Sequence, residues 1–432
     1  MHLRNDMNIE KTLFWYISAL TILSLIAWQI IFIRGQFLGM SFPYNTFLFD
    51  QSQQFSDFTM FDSQFFSWIE GGLIKATPKP LAWLGADSDL IKEHPPLIYS
   101  PVATYVILFY YLIYPLSPVY AYLLSLWVSI CIASVVLGYS LRYSTEAKTL
   151  WIVIFVTMLA SYPFMLVFDR ANIEGLPWIF LLLGTISFVR NRYLTAGILF
   201  AVAASFKYFP GIFLLLLISR KKYMEFVVSM IFLVWISLFS AYELGGNILE
   251  TYSTFLNGIA AYKEIAILAR ITPQYDHSLF GLIKQILFIL GLELRNISGL
   301  HNLYAFSAIT TFVMLYIFKI RKLPILNQVF ALSISGIILP FVSFDYTLIH
   351  LYIPWGLFMI FLAYDAKLIG FSTRQSLQIL IPLAILFTPQ TYLISDTIGG
   401  FGGQMKAIAL LYLLMIVLKN PMFSPTLFRE DR

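Results

Sequence analysis

Leu176-Pro-Trp-Ile-Phe-Leu-Leu-Leu-Gly-Thr-Ile-Ser-Phe-Val189 is apolar almost throughout and stops at Arg190-Asn-Arg192. A second apolar run follows at once, from Tyr193 to Ser219, and stops at Arg220-Lys-Lys222. Apolar runs that end in clustered arginine and lysine are the pattern of membrane helices with cytoplasmic basic ends. The pattern recurs at Arg142 and Lys148 and at Lys319 to Lys322. Composition agrees: the 432 residues are 59% hydrophobic and 12% charged, against roughly 25% charged in a soluble domain. The mean hydropathy is +0.78.

Backbone groups in lipid must be satisfied within their own segment, so the spans are read as helices. The runs are too long for the roughly 10-residue alternating strands of a membrane barrel. They cover Thr12–Ile33, Pro96–Tyr114, Val119–Leu141, Leu150–Phe168, Leu176–Val189, Tyr193–Ser219 and Phe226–Tyr242. Further on come Leu279–Leu294, Leu303–Phe318, Ile325–Val342, Ile349–Ala363, Leu377–Leu393 and Ile408–Leu418. The expectation is an all-α polytopic membrane protein of about twelve helices (11–13), with residues 1–432 forming a single membrane-embedded domain. No cleavable leader is expected, because Thr12–Ile33 is long enough to stay as a span. The net charge of +5 is carried at helix ends, so no nucleic-acid partner is expected; membrane lipids are. The single cysteine, Cys131, lies in an apolar run and reads as a small buried hydrophobe.

Two connections are long. Residues 35–95 hold seven acidic residues and many aromatics, which fits a non-cytoplasmic loop against the membrane interface. Within it Phe58, Phe61, Phe65, Trp68 and Ile69 recur at helical spacing, so Phe55–Lys75 is read as an interfacial amphipathic helix ending at Gly71-Gly72. Residues 243–277 form the second loop. Placing every basic cluster on one side needs either a re-entrant stretch near Pro115 or two half-helices near Lys207.

Ionisable residues in or beside spans are the default functional candidates, and four groups stand out. Asp57, in Phe55-Ser-Asp-Phe-Thr-Met-Phe61, can act as a general base if aromatics desolvate it. An ordinary solvated loop acid is the competing reading, and Asp62 is the nearest rival. Asp169-Arg-Ala-Asn-Ile-Glu-Gly175 heads a span. Arg170 and Glu174 are four apart there and can pair, or Arg170 can bind a phosphate. Lys207, in Ser205-Phe-Lys-Tyr-Phe-Pro210, is a lone cation in an apolar run. At membrane depth it costs roughly 2.5–3.5 kcal/mol and needs an anionic partner, unless it snorkels. Finally, Ser343-Phe-Asp-Tyr-Thr-Leu-Ile-His350 sets His350 near Asp345 and Tyr346. Such a histidine can bond a phosphate or shuttle a proton, or simply be a satisfied core residue. Asp87-Ser-Asp89 is too short a motif to imply a metal, and no phosphate-binding glycine loop is present.

In order, Ser56-Asp57-Phe58, Leu97-Ile-Tyr-Ser-Pro101 with Tyr99, Asn172, the Thr195–Pro210 stretch ending in Lys207-Tyr-Phe-Pro, His277-Ser-Leu279 beside Asp276, and Ser343 to His350 resemble glycosyltransferase family 87 of the GT-C superfamily. Arg170-Ala-Asn-Ile-Glu174 is similar to the Arg-Gly-Asn-x-Glu of related membrane mannosyltransferases. Two departures stand out: Arg170-Ala-Asn-Ile replaces a Gly-Gln-x-Asn pattern, and His350 is alone where a pair is usual. The resemblance implies an inverting hexosyl transfer, most often of mannose, from a polyprenyl-phosphate sugar to an extracytoplasmic lipid or glycan acceptor. It implies a bacterial inner-membrane location and Asp57 as base. Arg170, Lys207 and His350 would lie at the donor phosphate, with Tyr99, Asn172, Glu174, Asp276, His277, Asp345 and Tyr346 in support. No cofactor is expected, and a divalent metal is left open. A transporter or flippase of a lipid-linked sugar is the alternative, disfavoured because no internal repeat is visible.

Overall fold

Within the described residues the apolar runs become helices, but several are shorter than a bilayer is thick. The structure, a computed structural model, describes residues 16, 20, 26, 55–59, 99–114, 116–140, 145–245, 247–262, 276–292, 299–364, 371–388 and 402–422. Among these it is all-helical, with no strand. The helices are α1 Ser56–Thr59, α2 Pro101–Ile113, α3 Pro118–Ser140, α4 Thr145–Leu159, α5 Tyr162–Asp169 and α6 Gly175–Val189. Then come α7 Tyr193–Phe206, α8 Leu215–Ser219, α9 Tyr223–Gly245, α10 Ile248–Tyr262 and α11 Leu279–Ile289. The last are α12 Leu300–Phe318, α13 Ile325–Ile338, α14 Tyr352–Tyr364, α15 Thr373–Phe387 and α16 Gly402–Lys419. Short 3₁₀ turns at Phe209–Leu214, Ile320–Lys322 and Asp345–Leu351 link them.

The expected count of about twelve spans is not confirmed among the described residues. Five helices among the described residues are long and apolar enough to cross a membrane, and a bent pair would make a sixth. That pair is α4 with α5, bent by 52°, where Ser161-Tyr-Pro163 interrupts what reads in sequence as one run, Leu150–Phe168. Tyr193–Ser219 is likewise two half-helices, broken at Lys207 with the 3₁₀ turn Phe209–Leu214 beyond. Pro210 explains the break, since it removes a backbone donor and clashes with the preceding turn. The stretch read as a second loop, 243–277, contains the helix α10. The first loop and its interfacial helix are described only at 55–59; the remainder, with Asp62, Gly71-Gly72 and Asp87 to Asp89, lies outside the described residues.

Between apolar helices in lipid, close packing replaces the hydrophobic drive, and small residues allow it. The α6–α7 pair shows how. Gly184 faces Phe200, and Ala196, Ala201, Ala203 and Ala204 are buried along α7. A Cβ on Gly184 would stand 2.6 Å from Cε1 of the Phe200 ring. Gly184→Ala is therefore expected to destabilise by about 1–3 kcal/mol through overpacking. A thermal melt of the purified protein would register it, with KM unchanged. The outward faces of α9 and α12 expose Ile231, Val234 and Trp235, and Phe306, Ile309 and Val313, which suits contact with lipid.

The hydrogen bonds also order the two ends of the bundle. Chain direction carries α6 away from Glu174 and α7 back to Lys207, so Arg190 and Arg192 lie at the far end. The half-helix ending at α8 carries the chain out again to Arg220-Lys-Lys222. Tyr316 donates to the Leu215 carbonyl at 2.7 Å, bringing Lys319 to Lys322 to the same end. Asn327 donates to the Val417 and Asn420 carbonyls, and Gln375 to Asn420, which adds Arg374 and Lys419. One rim is thus basic.

Candidate active site

At the opposite end, Phe55–Thr59 is strapped onto the turn between α5 and α6. The Phe55 amide donates to the Asp169 carbonyl at 2.7 Å, and the Asp57 amide to the Arg170 carbonyl at 3.2 Å. Phe58 anchors the strap. It is fully buried, stacked on Tyr122 at 5.2 Å and on Tyr111 at 5.8 Å. Both meeting segments are strained, with Phe55 at φ 60° and Ala171 at φ 46°. Left-handed backbone costs a non-glycine residue about 1–2 kcal/mol, and such strain clusters at functional sites.

The strap delivers the Asp57 carboxylate to two donors. Arg170 gives Oδ1 bonds from Nε at 3.1 Å and Nη2 at 2.5 Å, and Asn172 Nδ2 reaches Oδ2 at 2.6 Å. Arg170 does not pair with Glu174 as the four-residue spacing suggested. Residues 170–174 form a turn, not a helix, so the i, i+4 geometry never arises. Asn172 links the two: its Oδ1 accepts from the Glu174 amide at 2.9 Å, and its carbonyl from Tyr122 at 2.7 Å.

Glu174 is the second centre. It is fully buried, with Oε2 ion-paired to Lys207 Nζ and Oε1 2.6 Å from His350 Nε2. Lys207 has the anionic partner that a cation in an apolar run requires, and its ammonium lies 5.3 Å over the Tyr346 ring. Burial opposes ionisation of Glu174, yet Lys207 and His350 outweigh it and hold the carboxyl at about 2. The folded value is below the unfolded one, so this stabilisation is complete above about pH 5 and is lost as pH falls from about 4.5 towards 2. Melting temperature is expected to be insensitive to Glu174 between pH 5 and 8, and Glu174→Gln should flatten the acid limb below that. Ser100 completes this corner. Its hydroxyl donates to the Ser205 and Phe206 carbonyls at 2.7 and 2.9 Å, closing the broken end of α7, and accepts from the Ala103 amide to cap α2. With Tyr111 at the Asp57 strap and Ser100 beside Lys207, α2 flanks the site along its length.

A third, wholly buried set lies behind these. Asp345 Oδ1 meets Lys406 Nζ at 2.7 Å and His277 Nδ1 at 3.5 Å, and its Oδ2 accepts from the Tyr162 hydroxyl at 2.7 Å. Asp276 accepts the Ser278 and Ser343 amides, each at 3.0 Å, and pairs with Lys284 at 3.0 Å. His277 Nε2 lies 3.0 Å from the Ser343 hydroxyl.

A cavity of about 1170 Å³, including its open mouth, joins the parts. Glu174, Lys207, Tyr99, Phe255, Ser343 and Tyr346 are in its wall. Asp57 and Arg170 are not among its lining residues, but Asn172 connects them to Glu174. The structure thus brings eleven of the twelve candidates to one end of the bundle; Asp62 lies outside the described residues. Among the described residues no cluster of His, Cys, Asp and Glu could hold a metal.

Sequence reasoning missed Lys406, Lys284, Tyr162 and Ser100. Lys284 carried the same signal as Lys207, a cation in an apolar run, at Ile283-Lys-Gln, whereas Lys406, at Met405-Lys-Ala, stands just ahead of the run Ile408–Leu418. Tyr162 carried none, and Ser100 stood unremarked inside the quoted stretch Leu97–Pro101.

The model of the family described as glycosyltransferase family 87 matches residues 98–342 of this chain. The match takes in Tyr99, Arg170, Asn172, Glu174, Lys207, Asp276 and His277, and leaves Asp57, Asp345, His350 and Lys406 outside it. No curated protein matches the chain, and neither does any solved structure.

Proposed function

The chain belongs to glycosyltransferase family 87, and from that premise we propose that it moves a hexose, mannose first, from a polyprenyl-phosphate donor to an extracytoplasmic lipid or glycan acceptor, with inversion. The observation that carries this is the aromatic-walled cavity with Lys207 and Glu174 in it, at the end of the bundle away from the basic rim. By the positive-inside rule a basic rim is the cytoplasmic one, which supports reading the cavity as extracytoplasmic, in a bacterial cell on the outer side of the inner membrane.

The donor phosphate sits at Lys207. The ammonium has three donors and gives one to Glu174, leaving two for phosphate oxygens. Held by Glu174 and His350, it is already in place when charge builds on the leaving phosphate, so little reorganisation is needed. Arg170, partly exposed beside Asp57, supplies the second positive group. Asp57 deprotonates the acceptor hydroxyl. Its Oδ1 takes two bonds from Arg170, but Oδ2 takes one from Asn172 and keeps a lone pair for the proton. A single base is sufficient for inversion, whereas glycoside hydrolysis uses paired carboxylates.

The test is transfer by the purified protein of radiolabelled mannose from polyprenyl-phosphate mannose to a membrane-lipid extract. Labelled product that depends on the protein supports the reading. Labelled product only from another lipid-linked sugar keeps the reaction and changes the hexose. Donor binding with no transfer from any lipid-linked sugar would overturn it.

A further inference from the structure

Lys406 lies outside the family match, is not in the wall of the Lys207 cavity, and is fully buried on the last described helix. A buried ion pair is seldom there for stability, since an apolar pair of the same volume usually does as well. What the ion pair specifies is geometry. We propose that Lys406 is a positioning residue for sugar transfer: by gripping Asp345 it fixes the turn Asp345–Leu351, and with it the two residues that hold Glu174 and Lys207.

The turn needs external support. It is a seven-residue 3₁₀ helix, and 3₁₀ bonds are poor enough that runs beyond three or four residues are uncommon. Asp345 is its first residue and is held from three other segments: by Lys406 on α16, Tyr162 on α5 and His277 ahead of α11. One residue on, Tyr346 lies beneath the Lys207 ammonium. Five residues on, His350 meets Glu174 at 2.6 Å, with Phe209 edge-on to its ring at 4.8 Å. Lys406 also lies 5.1 Å over the Tyr162 ring, so one ammonium orders two of the three groups at Asp345. The charges near the turn pair off as Asp345 with Lys406, Asp276 with Lys284, and Glu174 with Lys207. Removing Lys406 takes the ammonium from the buried Asp345, leaves Tyr162 and His277 against it, and lets the start of the turn move.

This rests on the reading of the Lys207 cavity as the donor site, so the experiment includes a measurement that needs no turnover. Full-length Lys406→Met and the double variant Asp345→Asn/Lys406→Met are compared with wild type and with Gly184→Ala, a packing defect away from the turn. Three quantities are read: melting temperature, KM and kcat with polyprenyl-phosphate mannose, and the ring signal of His350 in histidine-labelled protein, assigned from His350→Gln. The expected result is a KM about tenfold higher in Lys406→Met, with a displaced or broadened His350 signal. The double variant has no unpaired buried charge, so its melting temperature should return towards wild type while KM and the His350 signal stay altered. Gly184→Ala should lower the melting temperature and move neither. Recovery of KM and signal in the double variant would reduce Lys406 to a neutralising charge and overturn the proposal, as would a lowered melting temperature in Lys406→Met with KM and signal unmoved. If wild type transfers no sugar, the donor-site reading fails separately. The His350 signal then decides: altered in the double variant, it sustains the grip on the turn; unchanged, it refutes it.

Discussion

Asp57→Asn is expected to remove sugar transfer, lowering kcat/KM by about 10²–10⁴-fold, the usual contribution of a positioned general base. The substitution keeps the shape and removes the basicity. Its amide oxygen can still accept from Arg170, but its new NH₂ faces the Asn172 amide that now donates to Oδ2 at 2.6 Å. A modest fall in melting temperature is therefore expected beside the loss of activity, because the strap is held mainly by Phe58 between Tyr111 and Tyr122 and by two backbone bonds. Asp62→Asn is the control, since both acids sit in the same stretch of sequence. Activity lost in Asp57→Asn and kept in Asp62→Asn identifies the base. The reverse pattern would move that role to Asp62 and leave Asp57 as the anchor of Arg170. A folded Asp57→Asn protein with full activity would rule the base out.

Lys207→Met is expected to cost about 3 kcal/mol of stability, at the low end of the range for breaking a buried ion pair by removing one partner. The low end applies because the Lys207 side chain is 23% exposed, while Glu174 is not exposed at all. The larger effect is on the donor: with the ammonium gone, donor KM should rise at least about tenfold. Glu174→Gln/Lys207→Met separates the two effects. It leaves no unpaired charge, so the melting temperature should recover much of the loss while donor affinity stays low. Affinity that recovers along with stability would show that Lys207 serves the fold and not the phosphate.

The individual charges were legible in sequence, and their partners were not. Lys207 stood out as a cation that needed an anion, and Arg170, Glu174, Asp345 and His350 stood out as polar groups beside spans. The natural sequence guess paired Arg170 with Glu174, four residues away. The fold instead pairs Arg170 with Asp57 across 113 residues, Glu174 with Lys207 across 33 and with His350 across 176. Ala171 at positive φ turns the chain out of helix at just the point where the short-range pairing would have formed. Lys406 stood just outside the run Ile408–Leu418, after Gly402-Gly-Gln404, with no nearby motif to draw attention to it.

What the sequence determined by itself is the solvent and the class of structure. Apolar content, run length and the basic stops are local properties of composition, and lipid leaves a chain of this kind few options but helices. The break at Pro210 was visible too, as a residue that cannot continue a helix, whereas the bend at Pro163 was not, since Leu150–Phe168 reads as one run. What only the tertiary structure decided is which of the described runs stay one long helix and which are broken or bent, and where the buried charges find their counter-charges. A membrane-depth charge is costly wherever it stands, so its presence can be read in one dimension. The group that offsets the cost comes from whichever helix packs against it, and that is set by the fit of side chains from segments far apart in the chain.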